Sequence, residues 1–212
     1  MSDLIRILIK DVSQKAGQKV MLQGRVINVR SLGNVIFVLM QDYSGQIQTV
    51  WETKIKVKTG DLVEILGQPR FDERARGGWE IIGENIKIIA TSCQDLPFDL
   101  SKKNLKLQLN TLFDWRVLSL RHPKIQAIFK LYALLLEAYA YTMRREGFTE
   151  IKTPKILGAA SEGGANFFKI KYFDQNAFLA QSPQFYKQIM VGVFERVFEI
   201  GPVFRAEPHF TT

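Results

Sequence analysis

The feature that most constrains this fold is the spacing of apolar residues between Val20 and Ala90, which follows a strand period and never a helical one. Val20, Leu22 and Val26 fall on alternate positions, and Gly33-Asn34 breaks the segment. Val35 to Met40 is a continuous β-branched and aromatic run. After the turn Asp42-Tyr43-Ser44-Gly45, residues Gln46 to Trp51 put Ile47, Thr49 and Trp51 on one face. Lys58-Thr59-Gly60-Asp61 turns into Leu62 to Leu66, and the polar stretch Asp72 to Gly78 precedes Trp79 to Ala90. Short runs at this spacing predict a closed or nearly closed β barrel.

Five strands in a small barrel fit the oligonucleotide-binding (OB) architecture. A different small barrel or a sandwich with no ligand fits the same pattern. Beyond the barrel the periodicity changes. Asp95 to Lys106, with Pro97, reads as a polar connector. His122-Pro123 then suits a helix start. Ile125, Ile128, Leu131, Leu135 and Ala138 recur at helical spacing, Tyr132, Leu136 and Tyr139 widen the stripe, and Gly147 follows Arg144-Arg145 at the end. A helix over residues 122–146 is predicted, its stripe wide enough for two packing surfaces, a sheet and a partner subunit. Phe148 to Lys152 reads as a strand and Phe167 to Ala180 as a hairpin. A second helix is predicted from Ser182 to Phe194 and a strand over Arg196 to Glu207.

Charge narrows the function. Twenty-nine Lys and Arg against 21 Asp and Glu leave +8, which favours polyanionic partners without naming one. The single cysteine, Cys93, cannot close an internal disulfide, and no Cys/His cluster suggests zinc. The absence of a long apolar run or a secretory leader points to the cytoplasm and away from a membrane.

Four segments carry a family resemblance. Val-Phe-Glu-Ile-Gly-Pro (197–202) leading into Phe-Arg-Ala-Glu (204–207) is similar to motif 2 of class II aminoacyl-tRNA synthetases. The long helix with Gly147-Phe148 and Thr153-Pro154 resembles motif 1. Ala-Gln-Ser-Pro-Gln-Phe-Tyr-Lys (180–187) resembles the amino-acid-binding segment of the aspartyl enzymes, and Glu162-Gly163-Gly164 their mobile loop. The tail Pro208-His209-Phe210-Thr211-Thr212 looks like the archaeal-type aspartyl branch. The resemblance implies an anticodon-binding OB domain at 1–94, a connector at 95–120, and a partial α+β class II catalytic domain at 121–212, an antiparallel sheet with flanking helices. It further implies ATP-dependent attachment of L-aspartate to tRNA, with Mg²⁺ held by carboxylates beyond Thr212, and a homodimer with Pro154 at its interface.

Each implied role has a physical basis. Activating a carboxylate with ATP builds charge on the α-phosphate, and a fixed guanidinium stabilises that transition state. Arg205 is the implied catalytic and ATP-binding residue. Glu207, two positions on and so on the same strand face, would accept a hydrogen bond from the adenine amino group. Glu162, Gln184, Lys187 and Arg205 would hold L-aspartate, and Lys187 matters most because a buried carboxylate needs a cation. Gln184 and Lys187, three apart on a helix, share a face. In the barrel, Arg30, Phe37 and Gln48 match the tRNA anticodon-binding positions. A phenylalanine there can stack on a base, although core packing of Phe37 fits the strand pattern equally.

The chain also departs from the family. Motif 3 and the returning strand of motif 2 are not in it, so the 212 residues are expected to be inactive alone, with only the barrel robustly folded. Only Glu52 to Gly60 joins the third and fourth strands, where relatives often carry a helix. The usual Gly-Trp-Val is Gly24-Arg25-Val26, which leaves discrimination between tRNA(Asp) and tRNA(Asn) open. The competing readings are an RNA-binding module with a non-catalytic synthetase remnant, and an enzyme for asparagine or lysine. Lys187 argues against asparagine, and Ala206 within the Phe-Arg-Ala-Glu run argues against lysine.

Overall fold

The computed structural model describes residues 5–159 and 167–207. They divide into two compact units, one ending at Gln126 and the other beginning at Ala127.

The first unit is built on the barrel. Strands β1 (Val20–Leu32), β2 (Val35–Gln41), β3 (Gln46–Trp51), β4 (Leu62–Phe71) and β5 (Trp79–Ala90) close in the order β1-β2-β3-β5-β4. Only the β3–β5 pair is parallel. Alternation explains the core. Leu22, Val26, Val38, Met40, Val63, Ile65 and Ile81 are fully buried around Trp51. Each such side chain contributes roughly 1.5–3 kcal/mol relative to exposure. The Trp51 indole N–H donates to the Thr49 hydroxyl at 2.8 Å, so the ring is buried without an orphaned donor.

A 3₁₀ helix at Ile9–Lys15, which carries no clear apolar period in the sequence, packs Ile9 and Val12 against this core. The first strand is also longer than its alternation suggests. A bulge between Val26 and Asn28 buries both Val26 and Ile27, so the period breaks there while the strand continues to Leu32. No helix forms between β3 and β4, in line with the short spacing.

The segment after β5 is tied to the barrel unit by buried groups. Leu100 is buried, and the Asn28 amide donates to the Ser101 hydroxyl at 3.0 Å. His122 is 2% exposed, with Nε2 at 2.8 Å from the Lys102 carbonyl, while its Nδ1 accepts the Lys124 amide proton. These partners make Nε2 the donor. Two short helices, α1 (Leu109–Asp114) and α2 (Arg116–Ser119), lie between and are too brief to leave a periodic signal.

The long helix α3 runs Pro123–Arg145, within one residue of the prediction at each end. Gly147 has φ +79°, and the Gly147 and Phe148 amides donate back to Arg144 and Met143, which closes the helix. None of its residues is buried, and Ile128, Leu131, Leu134 and Leu135 are about 60% exposed. No helix among the described residues is long and apolar enough to cross a membrane.

In the second unit β6 (Thr149–Glu150) pairs in parallel with β10 (Val197–Phe198), and β7 (Ile156–Leu157), β8 (Lys169–Tyr172) and β9 (Gln175–Leu179) form a sheet in the order β7-β9-β8. Helix α4 is Gln184–Phe194. Phe198 is buried edge-to-face against Tyr139 of α3 at 5.9 Å. The strand predicted over Arg196 to Glu207 is ladder-paired only at Val197–Phe198. Downstream, Pro202 has no amide proton, and the Phe204 amide donates to the Ala180 carbonyl instead of to β6.

Candidate functional site

The outer face of the barrel carries the first group of predicted residues. Val38 and Met40 point inward, which leaves Phe37 and Leu39 half-buried on the outside, so Phe37 is not a core residue. Arg30 sits opposite Phe37 in the β1–β2 ladder, with its guanidinium 4.9 Å from the ring centroid. The Arg30 Nη2 also donates to the Gln48 side-chain oxygen Oε1 at 2.8 Å. The Gln48 amide nitrogen donates to Glu80 at 3.1 Å, and the other Glu80 oxygen receives Arg70 Nε at 3.0 Å and Nη2 at 2.5 Å. Glu80 is buried, so its pairing with Arg70 fixes which way the Gln48 amide points.

Arg30, Phe37 and Gln48 line one pocket of about 270 Å³, together with Arg74 and Arg76 from the β4–β5 turn. Arg76 donates to Gln46 at 2.5 Å. Arg74 grips Asp72 through two guanidinium nitrogens, and these bonds hold the Asp72 carboxyl down at about 2. An aromatic face, a cation above it and an amide with spare donor and acceptor capacity can stack a base and read its edge. Sequence reasoning missed Glu80, Arg70, Arg74 and Arg76. The two turn arginines lay in a stretch legible only as a loop, and pairing Glu80 with Gln48 needs the β3–β5 register.

The second unit holds the other group. Gln184 opens α4 with its amide on the Ser182 hydroxyl at 3.2 Å. Lys187, half-buried, follows one turn later, its backbone amide on the Pro183 carbonyl at 2.9 Å. Arg205 and Glu207 lie side by side, Nη1 to Oε1 3.8 Å, both about half exposed. The two segments meet at Ala180. Its carbonyl accepts the Phe204 amide at 2.9 Å, and its own amide donates to Lys155 at 3.0 Å. The chain leading into α4 and the chain leading into Arg205 are therefore anchored at one buried residue.

Beneath them lies a cluster that the sequence did not reveal. The Glu199 side chain is 2% exposed and accepts from Lys155 Nζ at 2.8 Å, the Thr153 amide at 3.0 Å and the Thr153 hydroxyl at 2.9 Å. Burial pushes this carboxyl up, but the ammonium and the two Thr153 bonds outweigh it and hold it below the usual value. Pro154, between these partners, is exposed. Glu162 with Gly163 and Gly164, and the tail from Pro208 to Thr212, lie outside the described residues. Among the described residues no three His, Cys, Asp or Glu side chains gather as metal ligands.

Comparison with known proteins agrees with both units. Residues 20–89 match the family described as OB-fold nucleic acid binding domain, and residues 108–212 match tRNA synthetases class II (D, K and N). The chain is 43% identical over its full length to an aspartate–tRNA(Asp/Asn) ligase of Deinococcus radiodurans, covering 48% of it. It is 40% identical to the ligase of the same name from Archaeoglobus fulgidus, with 98% of this chain and 51% of that protein covered. It thus spans about half the length of the curated relatives it matches. Among solved structures it resembles asparaginyl-tRNA synthetase from Pyrococcus horikoshii complexed with asparaginyl-adenylate, with TM-score 0.86, 31% identity, and 98% of this chain and 50% of that one covered. A putative aspartyl-tRNA synthetase from Leishmania major gives TM-score 0.84 at 27% identity, over 100% of this chain and 46% of that one. With an OB-fold nucleic acid binding domain at residues 20–89 and part of a class II synthetase domain at 108–212, the chain belongs to the class II tRNA synthetases.

Proposed function

We propose that this chain supplies the tRNA-binding barrel and the first part of the catalytic domain of an aspartate–tRNA ligase, one that serves tRNA(Asp) and, as the names of its relatives suggest, tRNA(Asn). The observation that carries this reading is the Phe204–Ala180 hydrogen bond, which ties the segment bearing Arg205 and Glu207 to the one that starts α4 with Gln184 and Lys187.

ATP is the second substrate. Arg205 places a planar, permanently charged fork on the α-phosphate and on the aspartate carboxylate that attacks it. The mixed anhydride forms as pyrophosphate leaves, and the extra charge on phosphorus is greatest between those two events. Glu207 accepts from the adenine amino group. Lys187 neutralises the aspartate side chain, Gln184 binds its amino-acid end, and Glu162 takes the ammonium. On the barrel, Phe37 stacks on an anticodon base while Gln48 and Arg30 bond to its edge or phosphate. The enzyme works in the cytoplasm as a homodimer. The exposed apolar side of α3 and the exposed Pro154 support that pairing.

The test joins this chain to the second half of the Deinococcus radiodurans relative and measures charging of tRNA(Asp) and tRNA(Asn) transcripts. Aspartate should be charged, and asparagine and lysine should not. Lys187→Leu, which leaves a buried substrate anion unpaired, should lower kcat/KM for aspartate by about 10²-fold or more. Charging with asparagine, or a Lys187→Leu variant that handles aspartate normally, would refute the reading.

A further inference from the structure

The barrel unit has a second pocket, of about 440 Å³, that shares no residue with the Phe37 pocket. Three arginines line it: Arg6, Arg25 and Arg121. We infer that this pocket holds a phosphate of an RNA backbone, clamped chiefly by Arg25 and Arg121.

The Arg25 guanidinium and the backbone of Arg121 are both held before any ligand arrives. Arg25 lies opposite Gln41 in the β1–β2 ladder and donates Nη1 to the Gly60 carbonyl at 2.8 Å. The Gln41 amide in turn donates to the Arg121 carbonyl at 3.0 Å, which fastens the 121 turn to the barrel wall. Among the described residues neither Arg25 nor Arg121 has a carboxylate within ion-pair distance, in contrast to Arg70, Arg74 and Arg144. Arg25 and Arg121 line the same pocket, where burial, and then the charge of Arg25, both disfavour the charged form of Arg121.

Asp42 also lines the pocket, but its carboxylate is already taken. It accepts from the amides of Ile9, Ser44 and Gly45 and from the Ser44 hydroxyl, at 2.6–3.0 Å. Those bonds leave its negative charge in place, so three arginines against one carboxylate leave the pocket positive, and a phosphate with its several oxygens matches forked donors best. Gln126 and Tyr43 add neutral polar groups at the edge. An RNA strand is favoured over a free phosphate compound because the same barrel presents a base-reading pocket elsewhere. Polynucleotide binders position the backbone with such contacts while reading bases separately.

This inference rests on the proposal that the barrel binds RNA, and the experiment separates the two. Binding of a fluorescent tRNA transcript to the full chain is followed by anisotropy between 50 and 200 mM salt. Each phosphate contact contributes about 0.7–0.9 to the slope of log affinity against log salt. Arg121→Gln, whose parent side chain makes no hydrogen bond among the described residues, should flatten the slope by about that amount for every transcript. Arg25→Gln should do the same, and the paired change to lysines should retain the slope. Phe37→Ala should weaken binding with the slope unaltered. If Arg121→Gln keeps the parental slope while Phe37→Ala weakens binding, the phosphate clamp is wrong and the base pocket stands. The reverse pattern leaves the clamp and removes the base pocket. Absence of RNA binding by the parent chain overturns both. Inorganic phosphate that raises the parent's melting temperature, but not that of Arg121→Gln, with an unchanged RNA slope, also overturns the RNA assignment in favour of a small anion.

Discussion

Replacing Phe37 with alanine probes the barrel's outer face most directly. A base stacked on an aromatic side chain in a single-strand site contributes roughly 1–3 kcal/mol. The free protein already uses one face of this ring, because the Arg30 guanidinium sits 4.9 Å from its centroid. A base taking that face displaces a cation–π contact of about 0.5–1 kcal/mol, while a base taking the opposite face displaces nothing. The expected net loss is therefore about 1–2 kcal/mol, or roughly 5- to 30-fold in Kd. Filter binding of a tRNA(Asp) transcript measures it. Phe37→Leu separates stacking from simple apolar contact and should lose nearly as much. Because Phe37 lies outside the core, Phe37→Ala should melt close to the parent, whereas Met40→Ala, one step inward, should cost about 2–5 kcal/mol. An unchanged Kd for Phe37→Ala with the fold intact would refute the stacking argument.

Two further expectations concern stability. A Cβ at Gly83 would come within 2.4–2.6 Å of three Trp51 ring atoms in the core. Gly83→Ala should cost about 1–3 kcal/mol and lower the barrel's melting temperature, read by tryptophan fluorescence; a neutral result would mean the ring has room to move. Lys155→Met strips the buried Glu199 of its cation. Breaking a buried pair costs about 3–5 kcal/mol, less here because Lys155 is a quarter exposed, so about 2–3 kcal/mol is expected at pH 7. Glu199 has a depressed folded pKa, so its stabilisation is present above the ordinary value of 4.5 and lost as pH falls through the folded one. In the variant the carboxyl can escape by taking a proton, which becomes easier as pH falls, so the penalty should be smaller at pH 5 than at pH 7. The gap between variant and parent in circular-dichroism melts should narrow accordingly, and a gap of constant size would count against the buried-pair account.

Much of this protein was legible without coordinates because its signals are local. Strand alternation and turn residues mark the five barrel strands, and an uninterrupted 3.6-residue period bounded by Pro123 and Gly147 marks α3. The family was legible for a related reason. Segments such as Phe-Arg-Ala-Glu and Ser-Pro-Gln-Phe-Tyr-Lys carry their meaning in residue order.

Other features depend on which strands become neighbours, and a one-dimensional pattern does not encode that. The bulge at Val26–Asn28 changes the parity of β1, and only the resulting register sets Arg30 against Phe37. Glu80 orients Gln48, 32 positions away in sequence, because β3 and β5 pair in parallel. Glu199 meets Lys155 and Thr153 only when β10 lies beside β6. Arg25 and Arg121, nearly a hundred residues apart, come to line one pocket only when Gln41 fastens the 121 turn to the barrel. Local chemistry decided the elements, and long-range pairing decided which side chains face one another, because an interaction between distant residues exists only once the backbone has closed the distance.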